Sequence, residues 1–273
     1  MSQALLERFA VQKPVIGMVH LGALPGTPAA RLEPAELRAR AVAEARLYAA
    51  AGVDGLIIEN MSDLPYLKGA VGPEVTALMA VVAHQIRACF EGPVGVQVLA
   101  GANSAALAIA HAAGLDFIRA EGFVFAHVGD EGLHEACAGA LLRERKRLGA
   151  ERVLVLCDIK KKHSAHALTA DVDLAETARA AELFRADGLI VTGAATGAAT
   201  SLADLAAARA ACGLPVLVGS GVGPEQLEAL WSCCDGVIVG SHFKVGGRWD
   251  GALDCARVEA FMARARATRA DHG

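Results

Sequence analysis

Eight short apolar runs punctuate the chain, at 15–19, 55–58, 94–99, 115–118, 153–157, 188–191, 215–218 and 236–239. Each is about strand length and nearly free of polar residues, the pattern of a strand buried on both faces. Between the runs the apolar spacing becomes helical. Leu37, Ala41, Glu44/Ala45 and Tyr48 follow Pro34, which suits a first helical turn, and Gly52 stops the series. Val75, Leu78, Met79, Val82 and Ile86 form a second apolar stripe. Asn103 or Ser104, Asp173 with Glu176 three residues on, and Ser201 are the expected caps of later helices. Eight strand and helix units with no compositional break predict one domain, residues 1–273, of class α/β, built as a single (β/α)8 TIM barrel. A doubly wound open sheet is the competing arrangement, but H-L-G-A-L-P-G stands after the first strand where that fold carries its glycine fingerprint.

The connections separate the two ends of the barrel. Helix-to-strand links such as A-G-V-D and A-G-L-D are tight, whereas strand-to-helix links are long, at 20–33, 59–72, 120–132 and 159–172. Chemistry in this fold sits where the long links lie, at the strand C-termini. There the chain delivers His20, Glu59, Asn60, Gln97, Arg119, Glu121, Asp158, Lys160, Thr192, Ser220, Ser241 and His242. The fifth exit, L-V-L-C-D-I-K-K-K-H, passes abruptly from aliphatic to ionisable. Alternation puts Leu154, Leu156, Asp158 and Lys160 on one face. A solvated basic turn is the plainer reading of that run. Convergence of so many polar exits on one rim favours a site, because buried charges cost several kcal/mol unless paired.

The last two exits add backbone chemistry. L-V-G-S-G-V-G-P-E-Q offers Gly219, Ser220, Gly221 and Gly223 before Pro224 opens a helix, and I-V-G-S-H-F-K repeats the pair as Gly240 and Ser241. Small residues let backbone N–H groups approach an anion, and a helix start adds partial positive charge. These six residues are the expected phosphate site, with T-G-A-A-T-G at 192–197 as a further source of amides. Tight turns alone are the alternative use of such glycines.

Composition narrows the partners. Twenty-six basic against 30 acidic residues, a formal charge of -4 and no long block of one sign give no nucleic-acid footprint. Seven scattered cysteines without C-x-x-C spacing are expected to be reduced, mostly buried small hydrophobes. No apolar run approaches the roughly 20 residues of a membrane span, and 1–14 lacks a leader-like core, so a soluble cytoplasmic protein is expected, with homo-oligomers open. No cofactor is expected. A divalent metal on His20, Glu59, Asp158, His163 and His166 is a minor alternative, disfavoured by three adjacent lysines. His84, His111, His134 and His272 are expected at the surface.

The motifs K-P-V-I-G-M-V-H-L-G-A-L-P-G-T-P, G-V-D-G-L-I-I-E-N, G-L-D-F-I-R, D-I-K-K-K-H, I-V-T-G-A-A-T-G, V-L-V-G-S-G-V and V-I-V-G-S-H-F-K together resemble the BtpA family from about residue 13 to 263. The resemblance implies a barrel related to ribulose-phosphate binders, and the family name derives from a cyanobacterial member linked to photosystem I accumulation. Q-V-L-A-G-A-N and R-A-E-G-F-V-F-A-H-V-G-D-E-G replace the commonest bacterial text after the third and fourth strands, and the second of them resembles the branch shared with animals. A photosystem role thereby loses weight. The expected function is an enzyme on a small phosphorylated, sugar-like metabolite, by isomerisation, epimerisation or lyase chemistry. Asp158, Lys160, Glu59, Arg119 and His20 are the candidate catalytic set. Asn60, Gln97, Glu121, Thr192, Gly193 and His163 are candidate substrate contacts. Asp158 with Lys160 resembles the D-x-K element of decarboxylase barrels, without their further aspartate. A non-enzymatic assembly factor for a membrane complex and a metal-dependent hydrolase are the alternatives.

Overall fold

The computed structural model describes residues 4–193 and 199–269. Eight parallel strands close into a barrel: Val15–His20, Gly55–Glu59, Val94–Gln97, Phe117–Ala120, Leu154–Ile159, Gly188–Val191, Val216–Val218 and Gly236–Val239. They follow one another in chain order around the barrel, and the first pairs with the eighth at Val15↔Val237. The eight apolar runs are therefore the eight strands. Their near-continuous hydrophobicity has a cause: alternate residues face the interior and the surrounding helices, and both sides are dry.

Two clusters record that alternation. Ile16, Met18, Ile57, Phe117, Leu154, Leu156, Ile190, Leu217 and Ile238 meet inside the barrel, while Val15, Val19, Leu56, Ile58, Val94, Val96, Ile118 and Val155 belong to the larger layer under the helices. A Cβ on Gly95 would lie 2.2 Å from the Phe117 ring, so this ring crosses the interior only because its neighbour has no side chain. Leu5 and Phe9, on either side of a short 3-10 turn at Leu6–Arg8, join the interior cluster against the glycines that begin the sixth and second strands. They form the barrel's floor.

A repeated device closes the same end. The aspartates before the even-numbered strands accept a hydrogen bond from the backbone N–H at the start of the preceding strand: Val15 to Asp54 at 2.8 Å, Val94 to Asp116 at 2.9 Å, Val155 to Asp187 at 2.8 Å and Val216 to Asp235 at 2.9 Å. Each aspartate also meets an arginine, namely Arg269, Arg8 with Arg87, Arg145 and Arg209 in turn. The tight links read in the sequence are thus strand clamps.

The helices begin largely as their caps suggest. Pro34 starts the first, and Gly52 ends it at φ 76°. Asp173 and Ser201 accept from the N–H groups of Glu176 and Asp204. Asn103 is a correction: it is the first residue of its helix, and its amide bonds the fourth-strand exit instead. The long loops hold an antiparallel sheet that the sequence pattern missed, made of His127–Gly129, Gly132–His134 and Ser164–Ala165. Two-residue and three-residue strands are too short for periodicity to register. Within this sheet His134 is buried, 3.2 Å from Glu131 and stacked on His127, contrary to its expected surface position. His84 is exposed, His111 half-buried, and His272 lies outside the described residues. All seven cysteines are free; two are buried, four half-buried and Cys255 exposed. Among the described residues no helix is long and apolar enough to cross a membrane.

Candidate active site

Side chains in phase with the interior cluster emerge at the top of the barrel, opposite the aspartate clamps. His20, Glu59, Gln97, Arg119 and Asp158 each follow an interior apolar residue by two positions or prolong the same alternation, so the barrel aims them at one mouth. The mouth holds two cavities. The first, of about 310 Å³, is lined by His20, Glu59, Arg119 and Lys162 and by the turns that contain Gly219 to Gly223 and Gly240 to His242, with Gln226 and Arg257. The second, of about 280 Å³, is lined by Gln97, Glu121, Asp158, Lys161 and His163, with Tyr66, Leu99 and Trp249 on its apolar side. Glu59, Met61, Arg119 and Lys162 face both and mark the divide.

Arg119 is the fixed centre. Its Nε and Nη2 donate to the two oxygens of Asp158 at 2.9 and 2.8 Å, with side-chain exposures of 6% and 1%. Burial works against the guanidinium charge, but Asp158, Glu59 and Glu121 more than offset it and raise its pKa. A Cβ on Gly219 would lie 3.4 Å from Arg119 Nη2 and 2.4 Å from Ile190, so this glycine leaves room for the guanidinium. Asp158, with both oxygens engaged, orients Arg119 and is poorly placed to exchange protons.

His20 and Glu59 form a second unit, Nε2 to Oε2 at 3.4 Å. His20 Nδ1 lies 3.1 Å from the Trp249 carbonyl, which only accepts, so Nδ1 carries the hydrogen. Burial first, then the charges of Lys244, Lys162 and Arg119, lower the His20 pKa to about 3 against the Trp249 hydrogen bond. Burial raises that of Glu59, opposed by Arg119 and Lys162. His20 is thus held as a neutral imidazole with Nε2 toward the Glu59 carboxyl.

The lysine at the mouth is a correction to the strand-parity expectation. The fifth strand ends at Ile159, and Lys160 takes a left-handed φ of 47°, which breaks the alternation. Lys160 then faces away from both cavities, toward Phe125, His127, His166 and Thr169. Two residues later Lys162 returns to the divide, held by its N–H on Thr192 Oγ1 at 3.0 Å. Burial and Arg119 lower its pKa, against Glu59, Asp158 and Glu121. Lys161 reaches Glu121 Oε1 at 3.1 Å. The basic turn supplies two site lysines, neither being the one parity selects.

Other expected contacts divide. Asn60 has opposite parity to Glu59 and braces two loops: its amide donates to Asp63 at 2.9 Å and its oxygen accepts from the Leu99 N–H at 2.7 Å. Thr192 holds the Lys162 backbone, and the Gly193 N–H is engaged by Ser220 Oγ at 2.8 Å. These three position the rim. Gly219 to Gly223, Gly240 and Ser241 do line one cavity, but the Gly219 N–H is bonded to the Val191 carbonyl and the Gly223 N–H to Gln226 Oε1. Those two amides are already engaged, and the Ser220–Gly221 and Gly240–Ser241 turns line the same cavity. The helix expected after Pro224 is one 3-10 turn, Pro224–Gln226, followed by the short Leu227–Trp231. The amides at 194–197 lie outside the described residues. Arg257, missed in the sequence, adds a cation here; its Nε donates to the His242 carbonyl at 2.6 Å. It lies 15 residues beyond the eighth exit, on the last helix, where no motif marks it.

The minor metal reading does not assemble. Among the described residues no three His, Cys, Asp or Glu side chains form a group suited to a metal ion. His163 is at the exposed rim of the second cavity, and His166 lies beside His127 in the loop sheet.

The model of the BtpA family matches residues 11–267. A mitochondrial protein of Caenorhabditis elegans is 46% identical over 253 residues, covering 91% of both chains. The Photosystem I biogenesis protein BtpA of Synechocystis is 38% identical over 259 residues, 94% of this chain and 90% of its own. Among solved structures, thiamine phosphate pyrophosphorylase from Pyrococcus furiosus superposes with a TM-score of 0.57 at 13% identity, over 94% of this chain and 96% of that one. Mycobacterium tuberculosis tryptophan synthase gives 0.59 at 18%, over 94% and 92%. At such identities these two likenesses establish the barrel alone.

Proposed function

This chain belongs to the BtpA family, and from that premise and the geometry of its barrel mouth we propose an enzyme that moves a proton on a small phosphorylated metabolite. The reaction class is isomerisation, epimerisation or lyase cleavage. One observation carries the reading: the buried pair His20 and Glu59 opens on the same cavity as the Ser220–Gly221 and Gly240–Ser241 turns, with Arg119, Lys162 and Arg257 as the cations around it. In this reading the two turns and Arg257 hold the phosphate. Glu59 exchanges a proton with the substrate, and His20 stays neutral beside it. Arg119 and Lys162 stabilise the negative charge that develops as the proton leaves the substrate. Thiamine phosphate pyrophosphorylase shares the barrel and carries a phosphorylated compound in its name, which agrees with this reading.

The cavity favours chemistry over the assembly role in the name of the Synechocystis relative. A cytoplasmic setting is part of the proposal, although the Caenorhabditis elegans relative is mitochondrial; localisation of a tagged chain decides it. The functional test compares wild type, Lys162→Met and Lys160→Met by thermal shift with a panel of phosphorylated sugars. Wild type and Lys160→Met are expected to be stabilised and Lys162→Met not, with turnover of an identified substrate falling roughly a hundredfold in Lys162→Met alone. The reverse pattern, or stabilisation only by unphosphorylated compounds, removes the proposal.

A further inference from the structure

The two halves of the mouth differ in charge. The first cavity has one carboxyl group, Glu59, against Arg119, Lys162 and Arg257. The second has five carboxyl groups, Glu121, Asp130 and Glu131 among them, against three side-chain cations, and it has an apolar wall that includes Tyr66, Leu99 and Trp249. A phosphate suits the first and is repelled by the second.

Two residues of the second cavity's lining also carry acceptors with no donor. Glu121 is fixed on three sides. Its backbone N–H and carbonyl are both bonded to the Asn103 amide, at 3.2 and 2.7 Å, and its Oε1 accepts from Lys161 and from Gln97 Nε2, at 3.1 and 3.3 Å. Glu121 Oε2 and Gln97 Oε1 are buried and have no partner. Turning the Gln97 amide over does not help, since it places an oxygen against Glu121 Oε1. The residues are 7% and 1% exposed, and a buried acceptor without a donor is costly. Two such atoms, one on a carboxylate and one on an amide held against it, fit a pair of N–H donors on a planar group that the apolar wall accommodates.

We infer that the ligand is a nucleoside monophosphate whose base carries an exocyclic amino group: its phosphate lies against the glycine turns, its sugar passes Arg119 and Lys162, and its amino group donates to Glu121 Oε2 and Gln97 Oε1. This rests on the phosphate reading of the first cavity and adds the other end of the molecule. It also makes the expected sugar phosphate a fragment of the ligand rather than the whole.

Calorimetric titration of the full chain tests this with inorganic phosphate, ribose 5-phosphate, and the 5′-monophosphates of adenosine, guanosine, cytidine and uridine. The tightest of the three amino-bearing nucleotides is expected to bind on the order of tenfold or more tighter than both uridine monophosphate and ribose 5-phosphate, the scale of one matched donor-acceptor pair. Gln97→Met should collapse that margin, with ribose 5-phosphate reporting whether the first cavity is intact. If Gln97→Met does not fold, Glu121→Gln takes its place. Equal affinity for all the esters overturns the inference while leaving the phosphate reading in force. Failure of every phosphate compound, inorganic phosphate included, overturns the phosphate reading itself. A margin that survives both substitutions also overturns the assignment of Gln97 and Glu121.

Discussion

Replacing Arg119 with methionine separates a buried ion pair from a surface one. Arg119 makes two hydrogen bonds to Asp158, at 2.9 and 2.8 Å, with side-chain exposures of 6% and 1%. An exposed pair contributes about 0–1 kcal/mol, whereas removing one partner of a buried pair costs about 3–5 kcal/mol, because the other charge stays behind in a poor solvent. The exposures put Arg119→Met in the second class. For a chain of 273 residues the unfolding entropy is about 0.6 kcal/mol per kelvin, so the melting temperature should fall by roughly 5–9 °C. Asp158→Asn should cost a similar amount. The double variant should cost much less than the two together, with a coupling of about 2 kcal/mol or more. Urea unfolding of all four proteins at pH 7.5 measures the cycle. A single-variant loss below about 1 kcal/mol, or strict additivity, refutes the view that Asp158 holds Arg119 at the mouth.

Three further outcomes follow from the same geometry. His20, with its folded pKa lowered to about 3, stays neutral while the unfolded chain takes up a proton below pH 6.5; stability is therefore complete above pH 6.5 and is lost as pH falls toward 3. At pH 5 this term is about 2 kcal/mol relative to pH 7. The raised pKa of Glu59 acts in the opposite sense, so the measurement is the difference in acid sensitivity between wild type and His20→Gln in chemical denaturation, and equal sensitivity speaks against the neutral imidazole. Asn103→Leu removes two bonds to the Glu121 backbone and should cost about 2–4 kcal/mol; a change within about 0.5 kcal/mol in calorimetry shows that this exit is held otherwise. Gly219→Ala sets a methyl 2.4 Å from Ile190 and should destabilise by about 1–3 kcal/mol while weakening phosphate binding; an unperturbed variant indicates that the seventh-strand turn has room to shift.

The barrel was legible because burial on both faces leaves an apolar signature in every strand, and because proline, glycine and capping residues mark several helix ends. The inward side chains Glu59, Gln97, Arg119 and Asp158 were legible for the same reason: parity holds as long as the strand does. It fails one residue beyond. Lys160 turns away because a left-handed φ follows Ile159, a conformation that nothing in K-K-K announces. Asn60 and Asn103 have the chemistry of ligand contacts or caps, but their partners come from other loops, so their bracing roles depend on tertiary placement. Arg257 and Trp249 approach from beyond the eighth strand, at a distance the order of motifs does not encode. The loop sheet that buries His134 against His127 consists of pieces too short to have a pattern.

The aspartate clamps divide the molecule into four strand pairs, and this sets an order in which a growing chain can acquire structure. Each clamp joins residues 39, 22, 32 or 19 positions apart, so a pair can close soon after its second strand leaves the ribosome. The seam between Val15 and Val237 must wait for nearly the whole chain. Until that seam forms, the first strand is an open edge, and Leu5 and Phe9 have no complete interior to enter. Closing the ring therefore joins the most distant parts of the chain, whereas each strand pair is a comparatively local contact.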